Sequence, residues 1–328
     1  MISVVIPTRN RLESLNRVLD SLYKQALKPK EIIIIDSSDQ AFTTKDLITP
    51  PNTINLILER STPSVCEQRN IGIKLSSNPF ILLCDDDLVF EEEYIVTLYE
   101  YLKKNPSKNA ASGIILEKNT KDEWAYANEI SDVKLIYNWF FGLSIFSDLS
   151  KSKRGNILAN RIKTKLSNKG NQISKAGWPI FVNWNKDEND FPFFSLMGAM
   201  IRKPEEDLFD PVFVFNGIGD NYDACIKLGF DITILKKVKA FHYKEITNRI
   251  NPKEAYYYRT SALHYILLNN SNFSSSNSLF LLWSLIGVLI PNFLKMDTEM
   301  IKYNLILIFR ILFKKNLYQQ ETLNSIST

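Results

Sequence analysis

The segment Glu31-Ile32-Ile33-Ile34-Ile35-Asp36 places four consecutive isoleucines between two acids. Successive side chains of an extended strand point to opposite faces, so such a run must be covered on both sides. A strand of this kind belongs in a parallel sheet with helices above and below it. The flanking sequence agrees: Ser3 to Pro7, Asn55 to Leu58 and Phe80 to Cys84 read as further short strands. Between them, Arg11 to Gln25 carries Leu12, Leu15, Val18, Leu19 and Leu22 at helical spacing, and Ser64 to Leu75 reads as a second helix. The alternation predicts βαβ units and an α/β fold. The chain has 328 residues, 45% of them hydrophobic, which is enough apolar material for a sizeable core.

Each strand ends in a polar cluster: Thr8-Arg9-Asn10, Asp36-Ser37-Ser38-Asp39 and Asp85-Asp86-Asp87. The carboxyl ends of strands line the ligand crevice of an open α/β sheet, so the three clusters should converge. Three adjacent carboxylates repel one another. Either a divalent cation bridging to substrate phosphates relieves them or they form a solvated acidic turn. Only two histidines are present, so a metal site must rest mainly on carboxylates, which excludes Cys/His zinc chemistry. Three cysteines without a C-x-x-C exclude a disulfide framework and point to a reducing compartment. Forty Lys plus Arg against 36 Asp plus Glu leave a net charge of +4, too balanced for a protein that binds nucleic acid through its phosphates.

Residues 119–193 lack clean periodicity, and within them Lys151 to Lys169 holds seven basic residues (Lys151, Lys153, Arg154, Arg161, Lys163, Lys165 and Lys169) and no acid. This composition predicts a mobile cationic excursion. Order is expected to return with a strand at Phe194 to Arg202, a helix at Asp220 to Leu228 and a strand around Ile232 to Leu235. Residues 254–316 mix apolar and basic positions and read as helical. Their longest apolar run, Leu279 to Ile290, has 12 residues, short of the roughly 20 that span a bilayer. Met1 to Pro7 lacks the basic and long apolar regions of a secretory signal and reads as a strand.

The pieces Val4-Val5-Ile6-Pro7-Thr8-Arg9-Asn10, Ile32 to Asp36, Glu67-Gln68-Arg69-Asn70-Ile71-Gly72 and Asp85 to Asp87 occur in a recognisable order. Together they resemble the family 2 glycosyltransferases of GT-A fold, whose corresponding segments read VVIPTYNR, IIVVDDGS, ARNxG and LDDD. The resemblance covers residues 1–115 and 194–245. It implies a GT-A catalytic domain over 1–250, with 119–193 as a variable acceptor-side insertion. Residues 251–328, whose aromatic and leucine faces are edged by Lys and Arg, read as a helical region that associates with a membrane or dimerises.

The resemblance also assigns roles. Pro7, Thr8 and Arg9 would line the nucleotide pocket, Asp36 would accept from the base, and Arg69, Asp85 and Asp86 would contact the nucleotide sugar. Asp85 and Asp87 would form the DxD pair and, with His242, hold Mn²⁺ or Mg²⁺. Asp220 would be the catalytic base, with Asp223 in reserve. Two departures are visible: Asp36-Ser37-Ser38-Asp39 stands for DDGS, and Gly219 replaces an acidic residue before Asp220.

The implied function is metal-dependent, inverting transfer of a sugar from a nucleotide-diphosphate donor to a glycan or polyprenyl-diphosphate-linked glycan. Such an enzyme would serve bacterial surface polysaccharide synthesis, O-antigen or capsule, in the cytoplasm at the inner face of the membrane, as a monomer or a homodimer. The alternatives are a nucleotidyltransferase, for which a Gly-rich loop after the first strand is missing, and an inactive sugar-binding or scaffold module.

Overall fold

The computed structural model describes residues 1–127, 129–151, 155–213, 216–245, 247 and 249–319. Of the residues singled out above, Lys153 and Arg154 lie outside them. In chain order the strands are β1 (Ile2–Thr8), β2 (Glu31–Asp36), β3 (Asn55–Arg60), β4 (Phe80–Leu83), β5 (Leu88–Phe90), β6 (Ala110–Lys118), β7 (Trp124–Ala125), β8 (Ile145–Phe146), β9 (Gln172–Ile173), β10 (Pro179–Phe181), β11 (Glu188–Phe191), β12 (Ala199–Arg202) and β13 (Ile232–His242). The helices are α1 (Leu12–Tyr23), α2 (Val65–Leu75), α3 (Tyr94–Lys104), α4 (Asp132–Phe141), α5 (Ile157–Lys169), α6 (Asp220–Lys227), α7 (Pro252–Asn269), α8 (Ser275–Leu294) and α9 (Thr298–Leu312). Two compact units result, one of residues 1–126 with 186–249 and one of 127–185 with the chain from 250 onward.

The first unit is built on a sheet of order β11-β13-β6-β12-β4-β1-β2-β3. The run β3-β2-β1-β4 is parallel, β12 enters antiparallel between β4 and β6, and β13 lies parallel to β6. Ile32 to Ile35 are fully buried, as the isoleucine run requires, and each contributes about 1.5–3 kcal/mol of apolar burial. Helix α2 lies close against β1, where a Cβ on Gly72 would come within 2.3 Å of Val5 Cγ1. The registers Thr8↔Asp36 and Asp36↔Arg60 bring the polar ends of three strands level with one another.

Beyond the parallel run, the expected strand at Phe194 to Arg202 contracts to β12, while the one at Ile232 to Leu235 extends to His242. A bulge between Leu235 and Lys239 shifts the pairing of β13 with β6. The Tyr94 hydroxyl donates to Gly198 O (2.8 Å) and accepts from Gly113 N (2.9 Å), joining α3 to the strands on either side.

The second unit corrects two expectations. Within the basic stretch, Ile157–Lys169 is a regular helix, α5, and not a mobile excursion. Ile162 and Leu166 share a buried cluster with Leu135, Ile145, Ile180 and Val182, and Lys163 pairs with Asp132 at 2.9 Å. A run of like charge hid one apolar stripe at helical spacing. The residues on either side of the 12-residue apolar run also belong to a helix. α8 runs for 20 residues without an acid or a base and is long and apolar enough to cross a membrane. Ser284, Gly287 and Pro291 interrupt the apolar run without ending the helix.

Replacing Tyr94 by Phe strands a buried amide hydrogen and a buried carbonyl, so the midpoint of urea unfolding should fall by an amount equivalent to about 1–3 kcal/mol, with the slope unchanged.

Candidate functional site

The polar residues at the carboxyl ends of β1, β2 and β4 are organised by consecutive side chains of α2, each of which reaches a different part of the chain. Gln68 donates to Thr8 O (3.0 Å) and Ile35 O (2.6 Å), tying together the tips of β1 and β2. Asn70 donates to Phe209 O (2.7 Å) and accepts from Phe209 N (3.0 Å), which fixes the chain leading to α6. Between them Arg69 donates to Asp85 Oδ1 (2.7 Å) and Asp220 Oδ2 (2.5 Å), with its guanidinium over the Phe209 ring. Arg69 is 4% exposed and Asp220 1%, so this is a buried ion pair that reaches solvent through Asp85.

Asp220 opens α6. Its Oδ1 accepts from Asn221 N and Nδ2, and burial pushes its carboxyl up to about 6 against the pull of Arg69. Gly219, standing where the resemblance calls for an acid, is the N-cap residue at φ +111°. Backbone in that region favours glycine, so the departure has a conformational cause. Asp223 pairs with Lys227 one turn along (3.0 Å). Burial raises its carboxyl as well.

The three aspartates after β4 occupy three environments. Asp85 keeps a third of its side-chain surface exposed and meets Arg69. Asp86 is buried and fully engaged, accepting from Thr8 Oγ1 (2.7 Å) and Arg11 Nη1 (3.0 Å), and burial raises its carboxyl to about 6. Asp87 lies among cations: His242 Nε2 at 3.3 Å, Arg11 at 3.6 Å and Arg249 at 3.6 Å. Burial would raise the Asp87 carboxyl, yet His242, Arg11 and Arg249 together hold it below the usual range.

Sheet register explains how His242 arrives there. β5 begins one residue after Asp87 and pairs with β13 as His242↔Leu88. In the same strand His242 lies opposite Glu117, whose Oε1 is 2.9 Å from His242 Nδ1. The two carboxylates outweigh burial and raise the imidazole to about 9.

On the nucleotide side, Pro7 and Thr8 lie at the end of β1, and Arg9 pairs with Asp39 in solvent (3.0 Å). Asp36 is fully buried, accepts from Ser38 N (2.8 Å) and forms an ion pair with Arg60. Arg60, Arg11, Glu117 and Arg249 were not among the residues expected from sequence. Arg60 could have been found as the polar end of the third parallel strand.

Among the described residues, no three or more His, Cys, Asp or Glu side chains are grouped so that they could hold a metal. Of Asp85, Asp87 and His242, the last two face each other and Asp85 faces Arg69. The donor chemistry nevertheless suits a hard divalent cation: carboxylate oxygens with one imidazole, whose Nδ1 is anchored on Glu117 so that Nε2 is turned toward Asp87.

Comparison with known proteins bears on the family and the fold. An uncharacterised glycosyltransferase of Bacillus subtilis, YwdF, is 30% identical over 143 residues, 41% of this chain and 53% of that protein. Poly(ribitol-phosphate) beta-N-acetylglucosaminyltransferase TarP of Staphylococcus aureus is 31% identical over 111 residues, 32% of this chain and 34% of that protein. The chain thus spans about half the length, or less, of these curated relatives. Among solved structures, GalNAc-T7 with UDP, GalNAc and Mn²⁺ shares the fold at a TM-score of 0.53 and 11% identity, over 85% of this chain and 50% of that one. Residues 3–169 match the model of glycosyl transferase family 2, which is half of the chain and includes β1 to β4, α2 and the three aspartates; the chain belongs to that family.

Proposed function

We propose that this chain is a metal-dependent, inverting glycosyltransferase. It moves one sugar from a nucleotide-diphosphate donor to a hydroxyl of a glycan or lipid-linked glycan during synthesis of a bacterial surface polysaccharide. The observation that carries the reading is the convergence of Asp85 and Asp220 on the buried Arg69, at the sheet edge where parallel strands present ligand-binding groups. The relative that acts on poly(ribitol-phosphate) favours a surface polymer as acceptor. In this reading residues 1–250 carry the chemistry, 119–193 border the acceptor and 251–328 attach the enzyme to its surroundings.

Pro7, Thr8, Arg9 and Asp36 bind the nucleoside, and Asp86 keeps the tips of β1 and β4 together beneath it. Asp85, Asp87 and His242 would hold Mg²⁺ or Mn²⁺, which supplies positive charge for the departing diphosphate. A donor diphosphate competes with Asp220 for Arg69. Once released, the Asp220 carboxylate takes the proton of the acceptor hydroxyl as that oxygen attacks the anomeric carbon. A single base opposite a single leaving group gives one displacement, with inversion. A second reading, a sugar-binding module without turnover, draws on the deep burial of Asp220 and the engagement of both its oxygens.

Release of nucleotide diphosphate from a panel of nucleotide sugars, with Mn²⁺ and a lipid-linked acceptor, separates the two. Asp220→Asn should lower turnover roughly 10²- to 10⁴-fold while nucleotide binding is retained or tightened, because Arg69 loses its competing carboxylate. Because the base form of Asp220 predominates only above its raised pKa, turnover should fall as pH drops through about 6. Release that is absent for every donor, or unchanged in Asp220→Asn, overturns the enzymatic reading.

Asp87→Ala should remove the stimulation of donor binding by Mn²⁺, measured by calorimetry of the nucleotide diphosphate with and without the ion. Arg69→Met leaves Asp220 buried without its partner and should destabilise the fold by about 3–5 kcal/mol. Adding Asp220→Asn should restore most of that loss in the same urea titration.

A further inference from the structure

Helix α8 buries Leu281 and Leu285 and shows a second set of large apolar side chains to solvent. It exposes Leu279, Trp283, Ile286, Ile290 and Phe293, which are spaced along one helical face. Its inward side includes Ser284, whose hydroxyl accepts from Trp178 Nε1 (2.9 Å), and Gly287, where a Cβ would come within 2.5 Å of the Phe141 ring. Helix α9 follows the same plan. It buries Asn304, against the Tyr256 hydroxyl (2.8 Å), together with Leu307 and Ile311, and exposes Leu305, Phe309 and Leu312. Helices that are apolar on both sides, with small and polar residues among those where they pack, suit an outer face that meets hydrocarbon.

We propose that the outer face of α8 and α9 docks onto an anionic lipid bilayer and lies in its interface. Charge selects this occupant. Lys295, Lys302, Lys314 and Lys315 are exposed at the ends and flank of the two helices and form no ion pair among the described residues. The acids of the same stretch, Asp297 and Glu299, both face Lys253 (2.8 and 3.3 Å), which leaves one net negative charge against the four lysines. Aromatic rings extend the patch: Phe140 lies 5.4 Å from Trp283, and the Lys175 ammonium is 4.9 Å from the Phe280 ring.

An apolar face with a basic rim matches anionic head groups over acyl chains. A second copy of the chain would instead bring two such rims together, like charge against like. The inner side of α8 is taken up by α4, α7 and α9, so the helix lies along the bilayer with one face free and does not cross it. This inference goes beyond the reaction proposed above and does not depend on it.

The test mixes the full chain with vesicles of phosphatidylcholine, alone or with roughly a third phosphatidylglycerol, and measures co-sedimentation. Binding to the anionic vesicles, with tryptophan emission quenched by brominated lipid and quenched less in Trp283→Phe, is expected. Lys314→Gln with Lys315→Gln should lower partitioning about thirtyfold, two basic residues' worth of surface attraction. Ile286→Glu with Phe293→Glu, checked for an unchanged circular dichroism spectrum, should lower it at least as far. The proposal is overturned by no sedimentation with either vesicle, by equal binding to both, or by a lipid-free dimer that Ile286→Glu dissociates. Nucleotide diphosphate release from a soluble donor, assayed without vesicles, reports on the chemistry separately.

Discussion

A guanidinium taken out of water between two carboxylates is the interaction around which the candidate site is organised. Removing Arg69 from solvent is costly, and Asp85 and Asp220 together, with the Phe209 ring, compensate it. Because Asp85 follows β4 and Asp220 begins α6, the ion pair holds a strand tip and a helix start at a set separation. The neighbouring residues of α2 make this possible, since Gln68 secures β1 and β2 while Asn70 secures the approach to α6. One turn of helix thus connects segments from four parts of the first unit, and Gly72 lets that turn lie close enough to β1 to do so.

Much of this was legible in the sequence because the parallel run obeys local rules. An isoleucine run can be satisfied only by two-sided burial, and polar residues at the carboxyl ends of neighbouring strands meet by register alone. Thr8, Asp36, Arg69 and Asp85 could be picked out on that basis together with the family resemblance. The residues that hold His242 and Asp86 could not. Glu117 reaches His242, and Arg11 reaches Asp86, only through pairings that no local pattern encodes. The basic stretch that forms α5 was misread because its charges outnumber the few apolar residues that matter. The extent of α8 was missed because the apolar run stops at Ser278 and Pro291, both of which the helix includes.

The departure at Gly219 shows how backbone geometry can account for a missing motif residue. The turn into α6 passes through positive φ at Gly217 and again at Gly219. An acidic side chain at the second would be strained, while Asp220 is presented to Arg69 by that turn. The nearby family position is therefore occupied for conformational reasons, and the carboxylate that meets the buried cation is the one immediately after it.

The bulge in β13 has a consequence for how this chain can vary. Leu235 pairs with Gly113 and Lys239 with the very next residue, Ile114, so the strict alternation of sides is broken across this stretch. The facing of His242 is set beyond it, by the pairings with Leu88 and Glu117. A residue gained or lost between Leu235 and Lys239 can therefore be taken up as slack, leaving the imidazole turned toward Asp87. The strand can vary in length there and still deliver its last residues in register.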